Sequence, residues 1–123
     1  MSKTPTIPPG TLLYHGEYMI QKVLGQGGFG ITYLATQTSL KRLVAIKEFY
    51  PKQYCNRDGH TSKVIVGVEN NNELVEKLKK KFLREGKKIA TLSHPNIVHF
   101  TAEFEENNTA YYVMDYIEGR NLN

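Results

Sequence analysis

Apolar and polar residues alternate along Tyr18–Leu24 (YMIQKVL), and the segment is rich in strand formers, so it reads as a β-strand. The β-branched and aromatic run Ile31–Thr38 (ITYLATQT) predicts a second strand, joined to the first by a glycine-rich turn. Arg42–Tyr50 (RLVAIKEFY) predicts a third, stopped by Pro51. Gln53–Gly67 reads as a short hairpin with Asp58-Gly59 at its turn. Asn70–Asn72 then break the pattern and offer a helix N-cap. From Glu73 to Leu92 the apolar spacing becomes helical, through Leu74, Leu78, Phe82, Ile89 and Leu92, and Pro95 ends it. Asn96–Glu105 and Thr109–Ile117 predict two more strands around an Asn107-Asn108 turn. The expected fold is α+β: an antiparallel five-stranded sheet with one long helix, and a small hairpin inserted between strand 3 and the helix.

The helix raises a question of its own. With Leu78 at zero and about 100° per residue, Phe82 falls near 40°, Ile89 near 20°, Leu92 near −40° and Glu85 near −20°. Glu85 is thus expected in the middle of the apolar stripe, where a carboxylate is costly unless paired. Lys81 and Lys88 lie within reach along the helix, but such pairs contribute only about 0.2–0.5 kcal/mol. A cation on the sheet beneath is the better partner, and Lys47 is the candidate. Gly86 sits mid-helix at a cost of about 1 kcal/mol relative to alanine, which suits close packing or a helix that shifts.

Composition narrows the function classes. The chain has 123 residues, 40% hydrophobic and 23% charged, which is the balance of one globular domain. Sixteen Lys and Arg against twelve Asp and Glu give +4, and seven of the cations fall on Lys77–Lys88. A basic helix of this kind suits nucleic acid or simply a solvated face, and the latter is the expectation in the absence of a nucleic-acid motif. The single cysteine, Cys55, excludes an intrachain disulfide and fits a reducing, cytoplasmic compartment. No apolar run approaches a membrane span of about 20 residues. Three prolines in MSKTPTIPPG predict a disordered or extended arm over residues 1–13.

The chemistry lies in LGQGGFGIT, from Leu24 to Thr32. Gly25 and Gly30 have P-loop spacing, but Ile31 and Thr32 follow where that motif needs Lys and Ser/Thr. Gly25, Gly27 and Gly30 also fit the dinucleotide fingerprint, which needs a helix to begin at the loop. A strand begins there instead. The strand–loop–strand context favours a third option, a hairpin whose glycine tip folds over nucleotide phosphates; glycines that serve only a loop or bulge are the other reading. VAIK follows on the third strand, with Ala45 and Lys47 on one face, which suits a planar base with its phosphates reaching the ammonium. With GQGGFGIT, VAIK, FLREGKKIATLSHPNIV and YYVMDYIEG in this order, residues 14–123 resemble the N-terminal lobe of a protein kinase. KEFYP…RDG is similar to a group of bacterial serine/threonine kinases of eukaryotic type.

The resemblance implies ATP as the ligand. Gly25, Gln26, Gly27, Gly28, Phe29 and Gly30 would cover its phosphates, with Thr32 where valine is usual. Lys47 would hold the α- and β-phosphates and Glu85 would hold Lys47. Leu24, Ala45 and Val98 would sandwich the adenine, Met114 would stand behind it, and the Asp115 carbonyl and Ile117 amide would bond its edge. Ile89 and Phe100 would join an apolar stack between lobes. A kinase also needs a catalytic-loop aspartate and Mg²⁺ ligands. No HRD or DFG occurs here, so the expectation is an ATP-binding half-domain, inactive alone, with Mg²⁺ held by residues outside this chain and no metal site within it. The expected partners are ATP, a C-terminal lobe, a protein substrate of unspecified identity, and a second copy through the exposed cleft face. No nucleic acid and no membrane contact are expected. A kinase-like binding module without phosphotransfer is the alternative.

Overall fold

The computed structural model describes residues 6–67, 72–89 and 97–116. Its elements are β1 (Leu12–Leu13), β2 (Tyr18–Gln26), β3 (Gly30–Gln37), β4 (Arg42–Phe49), β5 (Cys55–Arg57), β6 (Val64–Val66), α1 (Asn72–Ile89), β7 (Ile97–Glu106) and β8 (Thr109–Tyr116). The main sheet runs β1-β2-β3-β4-β8-β7, and β5-β6 form a separate two-stranded sheet. All pairings among the described residues are antiparallel; short connections require this of the pairs adjacent in sequence, while β8 joins β4 after the hairpin, the helix and β7.

The sheet has six strands rather than the expected five, because Leu12 and Leu13 pair with Met19 and Tyr18. Of the disordered or extended arm expected over residues 1–13, the part from residue 6 onward packs on the sheet and bends through a turn at Pro9-Gly10. Ile7 and Leu13 are each 1% exposed in the main core. The Gly10 amide donates to the Ile20 carbonyl at 2.7 Å, and the Ile7 amide donates to the Tyr33 hydroxyl at 3.0 Å. The prolines stiffen this segment, and its two apolar side chains supply the anchor that composition alone conceals.

Strand alternation divides the interior into two cores. Val44, Ile46 and Tyr50 pack with Ile31, Tyr33, Ala35, Tyr111 and Val113 on one face. Ala45, Phe49, Tyr112 and Met114 pack with Val75 and Phe82 of α1 on the other. Glu48 belongs to the first face and is fully buried. Arg57, brought in by β5, meets it with two hydrogen bonds, Nη2 to Oε1 at 2.6 Å and Nη1 to Oε2 at 3.0 Å. The Tyr33 hydroxyl donates to Oε1 at 3.0 Å and that of Tyr111 to Oε2 at 2.7 Å. Burial, then the charge of Glu48, pushes both phenols above their ordinary range, so they stay protonated donors.

The β5–β6 hairpin closes differently from the expected Asp58-Gly59 turn. Arg57 pairs with Val64, and residues 58–63 form a six-residue loop. Asp58 caps it: its carboxylate accepts from the His60 amide at 2.8 Å, and its own amide donates to the Lys63 carbonyl at 2.8 Å. The left-handed residue is Ser62 (φ 65°). The Asn107-Asn108 turn does join β7 and β8, with both residues left-handed (φ 54° and 61°), as a tight hairpin of matched twist requires.

Helix α1 is rolled relative to the sequence expectation. Its buried positions are Val75, Phe82 and Gly86, with Leu78 half-buried, while Leu74 is exposed. Counted from Leu78 at about 100° per residue, that face centres near 60°, not zero. Glu85 consequently lies at the rim of the stripe and is exposed. The expected stripe members Ile89, by its side chain, and Leu92 lie outside the described residues.

Candidate functional site

The glycine hairpin is an irregular ladder. Gly25 pairs with Thr32 and Gln26 with Ile31, after two register shifts in β2 that sharpen its twist. The Gly27 amide donates to the Gly30 carbonyl at 2.8 Å and closes the tip. The tip is tethered to the chain beyond β4: the Phe29 carbonyl accepts from the Tyr50 amide at 2.9 Å. A Cβ on Gly25, Gly27 or Gly28 would meet nothing within 4 Å, so the loop has room for a group against its backbone. Gly30 is the sterically demanding position, since a Cβ there would lie 3.1 Å from both the Glu48 carbonyl oxygen and Lys47 Cε.

Beneath the hairpin lies an open cavity of 470 Å³, lined by Gly25, Gln26, Gly27, Gly28, Phe29, Gly30, Thr32, Lys47 and Glu85. Lys47 comes from β4, opposite Thr32 on β3 and Tyr112 on β8. Glu85 comes from α1. The two expected partners line one cavity, but no ion pair within 4.0 Å joins them. The roll of the helix is the physical reason: Glu85 at the rim reaches water and has no need of a buried cation. A second cavity, of 140 Å³ between Phe29, Phe49, Leu78, Lys81, Phe82 and Glu85, adjoins it.

The expected adenine contacts divide into three sets. Ala45 and Met114 are paired across β4 and β8 and buried, at 0% and 2% exposure. Leu24 is 39% exposed on β2. Asp115 pairs with Val44, and its carboxylate lies 3.3 Å from Arg42 Nη2. The side chains of Val98 and Phe100, and all of Ile117, lie outside the described residues. Phe100 is placed by its backbone, opposite Met114.

The partners of Glu48 escaped the sequence reading, although alternation in VAIKEFY puts that carboxylate on the face of Val44, Ile46 and Tyr50 and so demands a buried donor. Gly86, left open there between close packing and a shifting helix, is buried against the ring of Tyr112. Tyr112 also packs on Phe82 at 4.9 Å between ring centroids, and burial, then the charge of Glu85, pushes its hydroxyl up to about 12.

The protein kinase domain model matches residues 18–123, which is most of the chain. The chain belongs to the protein kinase family. Its described part is the N-terminal lobe of that fold, an antiparallel sheet carrying a single helix. The kinase lobe is 32% identical over 113 residues to probable serine/threonine-protein kinase YbdM of Bacillus subtilis, covering 92% of this chain and 36% of YbdM. It is 35% identical over 107 residues to serine/threonine-protein kinase PrkC of the same organism, covering 87% of this chain and 14% of PrkC. Among solved structures, PpkA-294 in its apo form superposes with a TM-score of 0.79 at 32% identity, covering 90% of this chain and 38% of that one. A cysteine-to-alanine mutant of the Mycobacterium tuberculosis PknI kinase domain, at 21% identity and a TM-score of 0.55, shares the fold, with 94% of this chain and 38% of that one covered. The chain thus spans well under half the length of these relatives.

Proposed function

We propose that this chain is the ATP-binding half of a serine/threonine protein kinase, which as a whole protein transfers the γ-phosphoryl group of ATP to a protein hydroxyl. The observation that carries the reading is the single cavity that gathers the glycine hairpin, Lys47 and Glu85. Its donor set fits a polyphosphate: one ammonium, and a loop whose backbone is unobstructed at Gly25, Gly27 and Gly28. In this reading the loop amides cover the phosphates, Lys47 holds the α- and β-phosphates, and Glu85 braces Lys47 once the helix closes on the sheet. The adenine lies between Leu24, Ala45 and Val98 in front of Met114, with its edge on the Asp115 carbonyl and the Ile117 amide. Positioning and electrostatics then do most of the catalytic work.

Among the described residues no three His, Cys, Asp or Glu side chains gather as metal ligands. The Mg²⁺ that accompanies ATP is in this reading held by residues outside this chain, where it would neutralise phosphate charge. The serine/threonine assignment is supported by the names of the relatives, and the other partners proposed are a C-terminal lobe and a protein substrate. No described helix is long and apolar enough to cross a membrane; a cytoplasmic location remains part of the proposal.

Titration calorimetry tests the reading. A half-cleft without metal ligands should bind ATP near the millimolar range, about 4 kcal/mol, and Lys47→Met should weaken that further. Absence of any nucleotide-dependent heat or chemical-shift change at 10 mM ATP, roughly ten times that Kd, would refute it.

A further inference from the structure

Gly86 stands in the interior of α1, where glycine is a poorer helix former than alanine. The structure supplies the compensation. A Cβ at this position would lie 2.5 Å from Tyr112 Cε2, 2.6 Å from Cδ2 and 2.9 Å from Cζ. Distances below about 3 Å require a real displacement, and the obstacle is a ring held from several sides. Tyr112 is 1% exposed, in a central strand, with Phe82 tilted against it from the preceding turn of the helix. Phe82 in turn packs on Phe49 at 5.4 Å. The ring therefore seats in a notch between Phe82 and Gly86, at i and i+4 on the helix, and that notch fixes both the height and the rotation of α1 on the sheet.

The same residues frame the cavity. Tyr112 is the cross-strand partner of Lys47, so β4 and β8 present the lysine and the seating ring side by side. Glu85 precedes Gly86 and lines the cavity with Lys47. Lys47, Tyr112, Gly86 and Glu85 thus form one closed path from sheet to helix. We propose that Gly86 is a positioning residue: the notch it leaves for Tyr112 sets the approach of Glu85 to Lys47, and a methyl group there moves the helix away from its seat and weakens nucleotide binding, although alanine is the better helix former. The nucleotide part of this inference rests on the proposed ATP site; the seating part does not.

Two measurements on the full chain separate these parts. Carbodiimide condenses the Lys47 ammonium with the Glu85 carboxylate into an amide, the water being taken up by the reagent as its urea. Tryptic mass spectrometry then reads how often the two side chains meet. Calorimetry reads ATP affinity in parallel. The expected result for Gly86→Ala is a loss of about tenfold in cross-link yield and in affinity, the scale expected of a small misplacement at a site. Tyr112→Val removes the clashing ring atoms, so Gly86→Ala/Tyr112→Val should recover the cross-link to within twofold of Tyr112→Val alone. If Gly86→Ala does not fold by circular dichroism, the double variant still decides: a folded, cross-linking double variant supports the seat, and a double variant equally unfolded overturns it. Wild-type cross-linking and affinity retained in Gly86→Ala would also overturn the inference. A chain that shows the cross-link pattern but binds no ATP would overturn only the nucleotide part, and with it the proposed function.

Discussion

A carboxylate at position 48 has no route to water, so its place in the core depends on the four hydrogen bonds it accepts from Arg57, Tyr33 and Tyr111. Removing one charge strands the other. Arg57→Leu is expected to cost about 3–5 kcal/mol, read as a fall in the urea midpoint. In a Glu48→Gln background the same change strands no charge, so the double variant should lose less than the sum of the singles. Strict additivity in those denaturation curves would show that the pair is not coupled. Cys55 lies beside this network, and its thiol donates to the Pro51 carbonyl at 3.2 Å. Burial pushes that thiol up to about 11 from an ordinary 9, so at pH 8 the thiolate is scarcer than in the unfolded chain. Iodoacetamide should therefore modify the native protein about a hundredfold more slowly than the protein in urea. Equal rates, followed by mass spectrometry, would contradict the burial.

Elements in this lobe are held by their turns as much as by their faces. The Asn107-Asn108 turn reaches sideways to the inserted hairpin: the Val64 amide donates to the Asn107 carbonyl at 2.8 Å, and Asn108 Nδ2 donates to the Val64 carbonyl at 2.9 Å. Asn108→Ala removes one of these bonds and places a Cβ residue without a local side-chain bond at positive φ. A cost of about 1–2 kcal/mol is expected. Amide exchange at Val64 and Val66 should accelerate while exchange in β3 and β4 holds, because the hairpin loosens before the sheet does. The strands were legible in the sequence because their alternation is strong and their turns are short. The helix was legible as an element but not in its rotation. Leu74 counted toward the apolar stripe, whereas Val75 and Gly86 did not, and together these choices turned the expected face toward Glu85. The hairpin loop misled for a similar reason. Asp58-Gly59 has the composition of a tight turn, but Arg57 must align with Val64 to reach Glu48, and that register leaves six residues to close. The glycine hairpin and Lys47 were legible because the strand context excluded the other phosphate loops. The separation of Lys47 from Glu85 follows from helix rotation, which local pattern does not fix.

On the scale of the molecule, the described residues supply a cradle and a cation but no group of metal ligands. The chain alone should show no phosphotransfer to a generic protein substrate with labelled ATP and Mg²⁺, and incorporation above a Lys47→Met control would contradict this. The side chains of Leu24 and Phe29 are exposed at the glycine hairpin, and we propose weak self-association through that face. Sedimentation velocity should detect it, and a strictly monomeric boundary at high concentration would argue against it. The N-terminal segment carries a different lesson. The family match begins at residue 18, yet Ile7 fills the main core and its amide donates to the Tyr33 hydroxyl, which itself donates to Glu48. Trimming the protein to the edge of the recognised domain would cut away a core side chain and break into the hydrogen-bond chain behind β4. A version starting at Tyr14 should melt several degrees below the full chain, and adding a peptide spanning residues 1–13 in trans should restore part of the loss. Where the family model begins is therefore a poor guide to where this lobe begins to fold.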